Sequence, residues 1–335
     1  IRPNKGIIPP AMDERPFEGM AIDDTSVLDH LDGRSPCPKC YKSRKYFCYT
    51  CYVPISELEG KIPNIKLPLK IDIIKHEKEI DGKSTAIHGP ILASEDVTIY
   101  TYPDIPDYSK EEKVFLVYPS KTSVEIPFLF NNNSEINSLV QQFASENLTD
   151  GHCQGTLLTH RFPGKMAPKK CLKLLKASEL PIKKAVFIDS TWNQSRGIYK
   201  DDRMKKLPCV VIQNRVSQFW RHQKGSPRWY LATIEAVHQF LLEVHLNAWG
   251  VSPLYKGPHC EDYRLDDECD LDSKMYNGQY DNILFFFSHM YTKIHKLYGH
   301  DDLKAYKSTI NFFDKMAASQ KKIQPFTKIL ALYCL

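Results

Sequence analysis

No apolar run in the 335 residues approaches the ~20 that a helix needs to cross a bilayer, so nothing in the chain reads as a transmembrane span. Several catalytic motifs are missing as well. There is no G-x-G-x-x-G after a strand-like run, no G-x4-G-K-[ST], no H-E-x-x-H and no G-x-S-x-G. Dinucleotide chemistry, nucleoside triphosphate hydrolysis and triad hydrolysis therefore lose their usual sequence support. Repeats and low-complexity tracts are absent, and 42% hydrophobic with 11% aromatic residues is not the composition of a disordered chain. What is present is enough length for a sizeable core, in one large domain or two modest ones. A net charge of +5 and a pI near 8.5 permit a nucleic-acid partner without requiring one.

Of ten cysteines, four form Cys37-x2-Cys40-x7-Cys48-x2-Cys51 and six are scattered singly. The first twenty residues, IRPNKGIIPPAMDERPFEGM, hold no apolar signal-like core. This usage is that of a reducing, intracellular compartment. Two C-x2-C knuckles seven residues apart are zinc-ribbon-like: four thiolates complete a closed tetrahedral shell, which makes such a site structural. An iron–sulfur cluster also uses four thiolates and stays open as an alternative. Tyr46, Phe47, Tyr49 and Tyr52 interleave the cysteines, with Lys39, Lys42, Arg44 and Lys45 nearby. They read either as a mini-core with a solvated rim or as an RNA-facing knuckle.

Residues 1–34 are polar and aperiodic and read as a flexible leader, and 35–65 as the cysteine module. From 66 to about 300, short β-rich runs alternate with helical patterns. The strands are expected at Leu69–Lys75, Val97–Tyr102, Val114–Tyr118, Ala185–Ile188 and Val210–Ile212. The helices are expected at Glu135–Asn147, Leu231–Leu246, Asp281–Leu297 and Asp301–Ala318. Several strands are continuously apolar, as in a parallel sheet covered on both faces, so the fold class is α/β. An insertion over about 131–183 is basic: Arg161, Lys165, Lys169, Lys170, Lys173 and Lys176 make a solvated loop or a phosphate contact. Residues 259–272 are acidic and read as a surface loop, and 301–335 as a C-terminal helical tail.

Polar clusters fall at strand ends. Ala185–Ile188 runs into Asp189-Ser190-Thr191-Trp192, and ligands of open α/β sheets lie beyond the carboxyl ends of strands. Asp189 reads as a general base or a ligand orienter, and Trp192 as a flat surface for a purine or a pocket cover. A plain helix cap with a buried Trp is the structural alternative. His76-Glu77-x-Glu79-x3-Lys83-Ser84-Thr85 follows the first strand, and Tyr118-Pro119-Ser120 ends another. Phe219-Trp220-Arg221-His222-Gln223-Lys224 precedes Leu231-Ala232-Thr233-Ile234-Glu235-Ala236, where Thr233 reads as a helix cap and Glu235 answers the helix dipole.

The cysteine module, HEKEIDGKST, YPS, IDSTWNQ, FWRHQKG and LATIEA occur in the order found in DTW-domain proteins. The chain resembles that family over about residues 35–250, and FFFSHMY extends the likeness toward 298. The D-x-T-W motif is Asp189-Ser190-Thr191-Trp192. Glu77 stands where many members carry a proline after the histidine, and neither residues 131–177 nor the end after about 300 matches a family pattern.

The resemblance implies a SPOUT-like parallel sheet with a C-terminal knotted region that binds S-adenosylmethionine. It also implies transfer of the 3-amino-3-carboxypropyl group to N3 of a tRNA D-loop uridine, at position 20, and it favours the nucleus over the cytoplasm. Asp189, Thr191 and Trp192 become the catalytic candidates. Pro119, Ser120, Leu207, Leu231, Thr233 and Glu235 join Asp189 and Trp192 as cofactor contacts, while His76, Lys83, Thr85, Arg221 and Lys224 are the substrate-binding set. Cys37, Cys40, Cys48 and Cys51 would hold zinc, and tRNA is the expected partner, with no membrane and an open oligomeric state. A SPOUT-type RNA methyltransferase using the same cofactor, or a non-catalytic zinc-ribbon RNA-binding protein, remains as the competing expectation.

Overall fold

The computed structural model describes residues 15–131, 176, 179–213, 215–221, 228–258, 260, 274–298 and 303. The chain divides into two compact units, Asp13–Gln213 with Thr233–Phe287, and Ile1–Met12 with Asn214–Ala232 and Ser288–Leu335. The helices expected at 135–147 and 301–318, the basic run at 161–173 and the acidic 259–272 stretch fall almost wholly outside the described residues.

The larger unit opens with a segment anchored by its own contacts. Ala21 donates its backbone N–H to Asp281 (2.8 Å), Phe17 packs edge-on against Phe287, and Leu28 is fully buried. The cysteine module follows as two short antiparallel ribbons. β1 (Ser35–Pro36) pairs with β2 (Ser43–Arg44), and β3 (Phe47–Cys48) with β4 (Val53–Pro54). Phe47 carries the module onto the rest of the unit, its ring 5.5 Å from His88 and 4.7 Å from Phe286. Enclosed there by apolar neighbours, His88 is pushed down to about 3 by loss of solvent and stays neutral.

Among the described residues a six-stranded sheet follows: β5 (Lys70–Lys75), β6 (Val97–Thr101), β7 (Val114–Val117), β8 (Val124–Glu125), β9 (Lys184–Asp189) and β10 (Cys209–Val211). Their order is β6-β5-β9-β7-β10-β8 and every pairing is parallel. The α/β class expected from the continuous apolar runs is thus the one observed. Each expected strand is present to within a residue or two; the two-residue β8 is an addition. Asp72 sits in the middle of buried β5, where Tyr108 donates a hydroxyl (3.1 Å) and Lys184 an ammonium (3.4 Å) to its carboxylate. Without those partners a charge there would be costly.

Late strands enter between early ones. β9 lies between β5 and β7, and β10 between β7 and β8. Val210 pairs with Val117 on one side and Val124 on the other. The chain leaving β7 therefore reaches β8 through residues 118–123 alone, and this link must pass across one face of β10.

The helices are α1 (His88–Leu92), α2 (Phe128–Asn131), α3 (Trp192–Tyr199), α4 (Asp202–Lys205), α5 (Thr233–Trp249) and α6 (Phe285–Leu297), the last preceded by a 3-10 turn at Asp281–Leu284. α5 buries Ile234, Val237, Phe240, Leu241 and Val244, and Phe240 packs edge-on against Phe187 of β9. No helix among the described residues is long and apolar enough to cross a membrane. In the smaller unit, Arg228 donates to the carbonyls of Phe219 (2.9 Å) and Ser217, while Ser217 returns its N–H to Arg228 O (2.8 Å).

Candidate active site

The carboxyl ends of β5, β9 and β7 form one edge of the sheet. Lys75 pairs in register with Asp189, and the chain then turns to His76, whose N–H donates to the Asp189 carbonyl (3.1 Å). Asp189 is the last residue of β9 and only 6% exposed. Its carboxylate accepts the Ser84 hydroxyl on one oxygen (2.7 Å) and the Thr233 hydroxyl on the other (2.5 Å). Three segments far apart in sequence are therefore joined at one side chain: the end of β9, the 81–84 turn and the first residue of α5.

Burial raises the Asp189 pKa, and the two hydroxyls together with the Lys75 charge pull it only part of the way back. Lys75 is itself ion-paired to Asp81 on the same turn. Thr85 is buried and accepts the Ile234 N–H (3.3 Å), so the turn is tied to the start of α5 twice. Thr233, read as a helix cap, is instead the opening residue of α5, with its hydroxyl spent on Asp189. Glu235, in the same first turn, is buried.

Beyond Asp189, Thr191 caps α3. Its N–H and hydroxyl both donate to the Gln194 side-chain oxygen, at 3.0 and 2.8 Å, the first of these being the N3 half of a capping box. Trp192 follows as a half-buried first helical residue, its ring 6.4 Å from Tyr118, which stacks on Tyr199 at 4.6 Å. Pro119 and Ser120 lie half-buried in the link across β10, where the Ser120 N–H turns back to the Tyr118 carbonyl (2.9 Å). Leu207 is placed differently. Its side chain belongs to the core with Ile74, Leu116 and Val186, and its N–H is occupied by the Met204 carbonyl (3.1 Å). His76 is half-buried, with Nδ1 accepting from the Lys78 N–H (3.1 Å), and Lys83 is exposed. Arg221 and Leu231 lie in the smaller unit, and Lys224 is outside the described residues. Two participants were not singled out from the sequence, Lys75 and Asp81, while Ser84 stood in the polar cluster after the first strand without a role of its own. Asp81 lies inside the HEKEIDGKST stretch, and Lys75 ends the strand just before it.

The cysteine module provides a second centre. The four Sγ atoms lie within 4.8 Å of one another, with Cys40 and Cys48 3.6 Å apart. A tetrahedron of sulfurs about 2.3 Å from one ion has edges of about 3.8 Å, so the arrangement fits a single four-coordinate ion rather than a multi-iron cluster. Knuckle N–H groups point at sulfur: Lys39 and Cys40 donate to Cys37, and Cys51 to Cys48. The buried Arg44 guanidinium also donates to Cys48 (3.4 Å) and lies 3.8 Å over the Tyr49 ring. Against the opposing effect of burial, these donors bring Cys48 down to about 6. Cys51, hydrogen-bonded with Cys40, is pushed up to about 12. Four thiolates this close ionise together only around a cation.

The model of the DTW domain matches residues 45–295, three quarters of the chain and all of the sheet edge just described. The chain belongs to the DTW-domain family. Its curated relatives include tRNA-uridine aminocarboxypropyltransferase 1 of Xenopus tropicalis, 40% identical over 281 residues that cover 82% of this chain and 85% of the relative. The human protein of the same name is 38% identical over 305 residues, covering 84% of each chain, and the mouse protein is 38% identical over 293 residues, covering 85% and 86%. No solved structure matches the chain. Within the family match, Asp189-Ser190-Thr191-Trp192 is the D-x-T-W motif, sited at the strand end where its carboxylate is buried. The second cysteine knuckle falls inside the matched region and the first outside it.

Proposed function

We propose that this protein is an S-adenosylmethionine-dependent transferase. In this reading it places the 3-amino-3-carboxypropyl group on N3 of a D-loop uridine in tRNA, at position 20, and releases 5'-methylthioadenosine. The observation that carries the reading is the buried Asp189 carboxylate, held by two hydroxyls at the carboxyl edge of a parallel sheet, in a chain whose relatives are named tRNA-uridine aminocarboxypropyltransferase 1.

The donor set suits the cofactor. This edge offers hydroxyls, a carboxylate and aromatic rings, and no glycine-rich phosphate cradle, which favours a zwitterionic sulfonium over a nucleotide polyphosphate. The 118–123 link across β10 and the aromatic group of Tyr118, Trp192 and Tyr199 would hold its adenosine. The threading of β10 behind that link is the feature that favours a SPOUT-like knotted fold. Bound there, the cofactor supplies an electrophilic carbon next to sulfonium sulfur: N3 bonds to it, the carbon–sulfur pair stays on sulfur, and the N3 proton must leave.

Asp189 is the acceptor for that proton. A carboxylate whose pKa is raised by burial is a stronger base than one in water, and each of its oxygens keeps a lone pair beyond the hydroxyl bond it already accepts. Ser84 and Thr233 fix its orientation, and Lys75 balances its charge. Lys83 and Arg221 would meet tRNA phosphates. Unstacking the target uridine costs a few kcal/mol, which such contacts offset. The four thiolates hold zinc as a structural ion, with no open position for substrate, and the nucleus is the expected site of action.

The test is nucleoside mass spectrometry on unmodified tRNA incubated with the protein and S-adenosylmethionine. Aminocarboxypropyl-uridine supports the reading. A methylated nucleoside instead identifies a methyltransferase, and tRNA binding without product identifies a non-catalytic binder.

A further inference from the structure

The cysteine module divides its rings and cations between the interior and the surface. Phe47 packs on His88 and Phe286, Arg44 is buried against Cys48 and the Tyr49 ring, and Lys45 donates to the Leu31 carbonyl (2.6 Å). The remaining cations stay outside. Arg34, Lys39 and Lys42 are exposed, and the two lysine side chains have no partner among the described residues. Ser43 fixes the Arg34 guanidinium, its hydroxyl accepting from Nε (3.2 Å) and its carbonyl from Nη2 (2.8 Å). From Gly33 to Ser56 the sequence holds five cations and no carboxylate, and Glu57 just beyond accepts the Ser35 hydroxyl (2.5 Å). A tetrathiolate around one divalent ion carries a charge of −2. Arg44 and Lys45 offset that charge, and the three exposed cations are in excess of it.

Tyr41 stands between the exposed lysines. At 79% it is the most exposed large hydrophobic side chain among the described residues. Its backbone is left-handed, with φ of 59°. Cys37 pins it there, its carbonyl accepting the Tyr41 N–H (3.0 Å) and its N–H donating to the Lys42 carbonyl (3.0 Å). Glycine takes this conformation without strain and an L-residue does not. A single exposed apolar residue is ordinary on a surface. A large ring held rigidly at a strained position, and this open to water, has its use outside the fold. Tyr52, with φ of 54°, holds the same place in the second knuckle and is half-buried. The second knuckle thus turns its ring toward packing, and the first turns its ring to solvent beside cations.

We propose that Tyr41, Lys39, Lys42 and Arg34 form a tRNA-contact surface, on which the ring stacks an unpaired loop base and the cations take the flanking phosphates. The inference rests on the proposed tRNA chemistry and goes beyond it by giving the first knuckle a part in substrate binding. Cations alone would serve an acidic peptide. The ring adds a flat face, which a nucleobase fills, and bases of single-stranded loops are the ones free to stack. Base-on-aromatic stacking of about 1–3 kcal/mol corresponds to about 5- to 150-fold in Kd. Contacts made equally by bound substrate and transition state act on KM rather than on kcat.

The backbone conformation makes the test a clean one, because Tyr41→Gly removes the ring and relaxes the knuckle. Tyr41→Gly and the double variant Lys39→Gln with Lys42→Gln are compared with the intact protein. The measurements are Kd for unmodified tRNA and for a blunt RNA duplex across salt concentrations, KM and kcat for tRNA, metal content and melting temperature. Tyr41→Gly should keep its metal and melting temperature, weaken tRNA binding and raise KM at least about fivefold, and leave kcat, duplex affinity and the salt slope unchanged. The double lysine variant should weaken both RNAs and reduce the salt slope by about 1 to 2. Wild-type Kd and KM in Tyr41→Gly overturn the proposal, as does an equal loss on tRNA and duplex, which removes the stacked base. Loss of metal or a lower melting temperature in Tyr41→Gly overturns it too, since the ring would then be structural. If the intact protein binds tRNA but forms no aminocarboxypropyl-uridine, the functional reading fails, while the Kd comparison still decides the surface.

Discussion

Replacing Asp189 by asparagine separates what the carboxylate does for the fold from what it does for the reaction. In the folded protein burial raises its pKa. The folded state therefore holds that proton more tightly than the unfolded chain, where an aspartate titrates near 4. The sign follows: the wild type loses stability as pH rises from about 4 through the folded pKa, and the loss is complete above it. Each unit of elevation corresponds to about 1.4 kcal/mol. Asparagine fills the same space, its oxygen can accept the Thr233 hydroxyl, and the Ser84 hydroxyl can rotate to accept from its amide. Asp189→Asn should therefore melt at the same or a higher temperature than wild type at pH 7.5, with the difference vanishing toward pH 4. It should also lose about 10²- to 10⁴-fold in rate, the usual contribution of a positioned proton acceptor. Calorimetry across pH and initial rates of modified-nucleoside formation measure the two effects separately. A variant clearly less stable at pH 7.5 refutes the buried-charge argument and makes Asp189 a net structural tie. A variant within a few-fold of wild-type rate refutes its role as proton acceptor.

Thr233→Val keeps the shape but removes the 2.5 Å donor to Asp189; it should cost about 1–3 kcal/mol, raise the Asp189 pKa further and move the acid limb of the pH–rate profile upward, and an unmoved limb would break the link between them. Cys48→Ser should abolish metal binding, measured by elemental analysis, and lower the melting temperature by roughly 5 °C or more, because metal affinity at such a site is folding free energy; wild-type protein that binds no metal after reconstitution with zinc would contradict the single-ion assignment. Asp281 is fully buried and accepts from His238 (2.9 Å), Tyr276 (2.6 Å), Tyr255 (2.8 Å) and the Ala21 N–H (2.8 Å). Burial works against its charge, but these donors hold its pKa below the usual carboxylate range. Asp281→Asn should destabilise by about 3–5 kcal/mol. Because a depressed carboxylate stabilises above the unfolded pKa near 4 and loses that effect as pH falls through its folded value, the gap in denaturant stability should be flat from pH 5 to 8 and narrow below 4.

Strands buried on both faces were legible because they are unbroken apolar runs: VFLV and AVFI appear as β7 and most of β9. β8 was missed because two residues carry no period. The order of the sheet was not legible at all, since a run of valines does not specify which neighbour it takes, and β9 pairs with strands more than 65 residues earlier. The D-x-T-W cluster was visible as polar residues abruptly following a strand, the place where open sheets expose side chains. Its partners were not, because Ser84 and Thr233 lie 105 and 44 positions from Asp189. Local reasoning gave the Thr233 hydroxyl to its own helix, and only the family resemblance grouped Thr233 with Asp189, as a cofactor contact rather than a hydrogen-bond partner. Leu207 was assigned to the cofactor through its backbone, by the family resemblance; its side chain packs in the core.

The same geometry bears on why a zinc-ribbon-like module precedes this sheet. A module that only bound RNA would need to present its lysines and could sit on a tether. This one is fastened by Phe47 between His88 and Phe286, and its second knuckle abuts the Gly82 turn. The turn in turn carries Ser84, half of the support of Asp189. A knuckle has few residues and little core of its own, so its shape depends on the ion that its sulfurs enclose. Loosening that shape is expected to reach Tyr49 and the Gly82 turn it adjoins before it reaches the sheet, whose strands are paired independently. Metal loss should therefore reach catalysis at lower chelator concentration than it reaches global unfolding, an order that a detached RNA-binding knuckle would not produce.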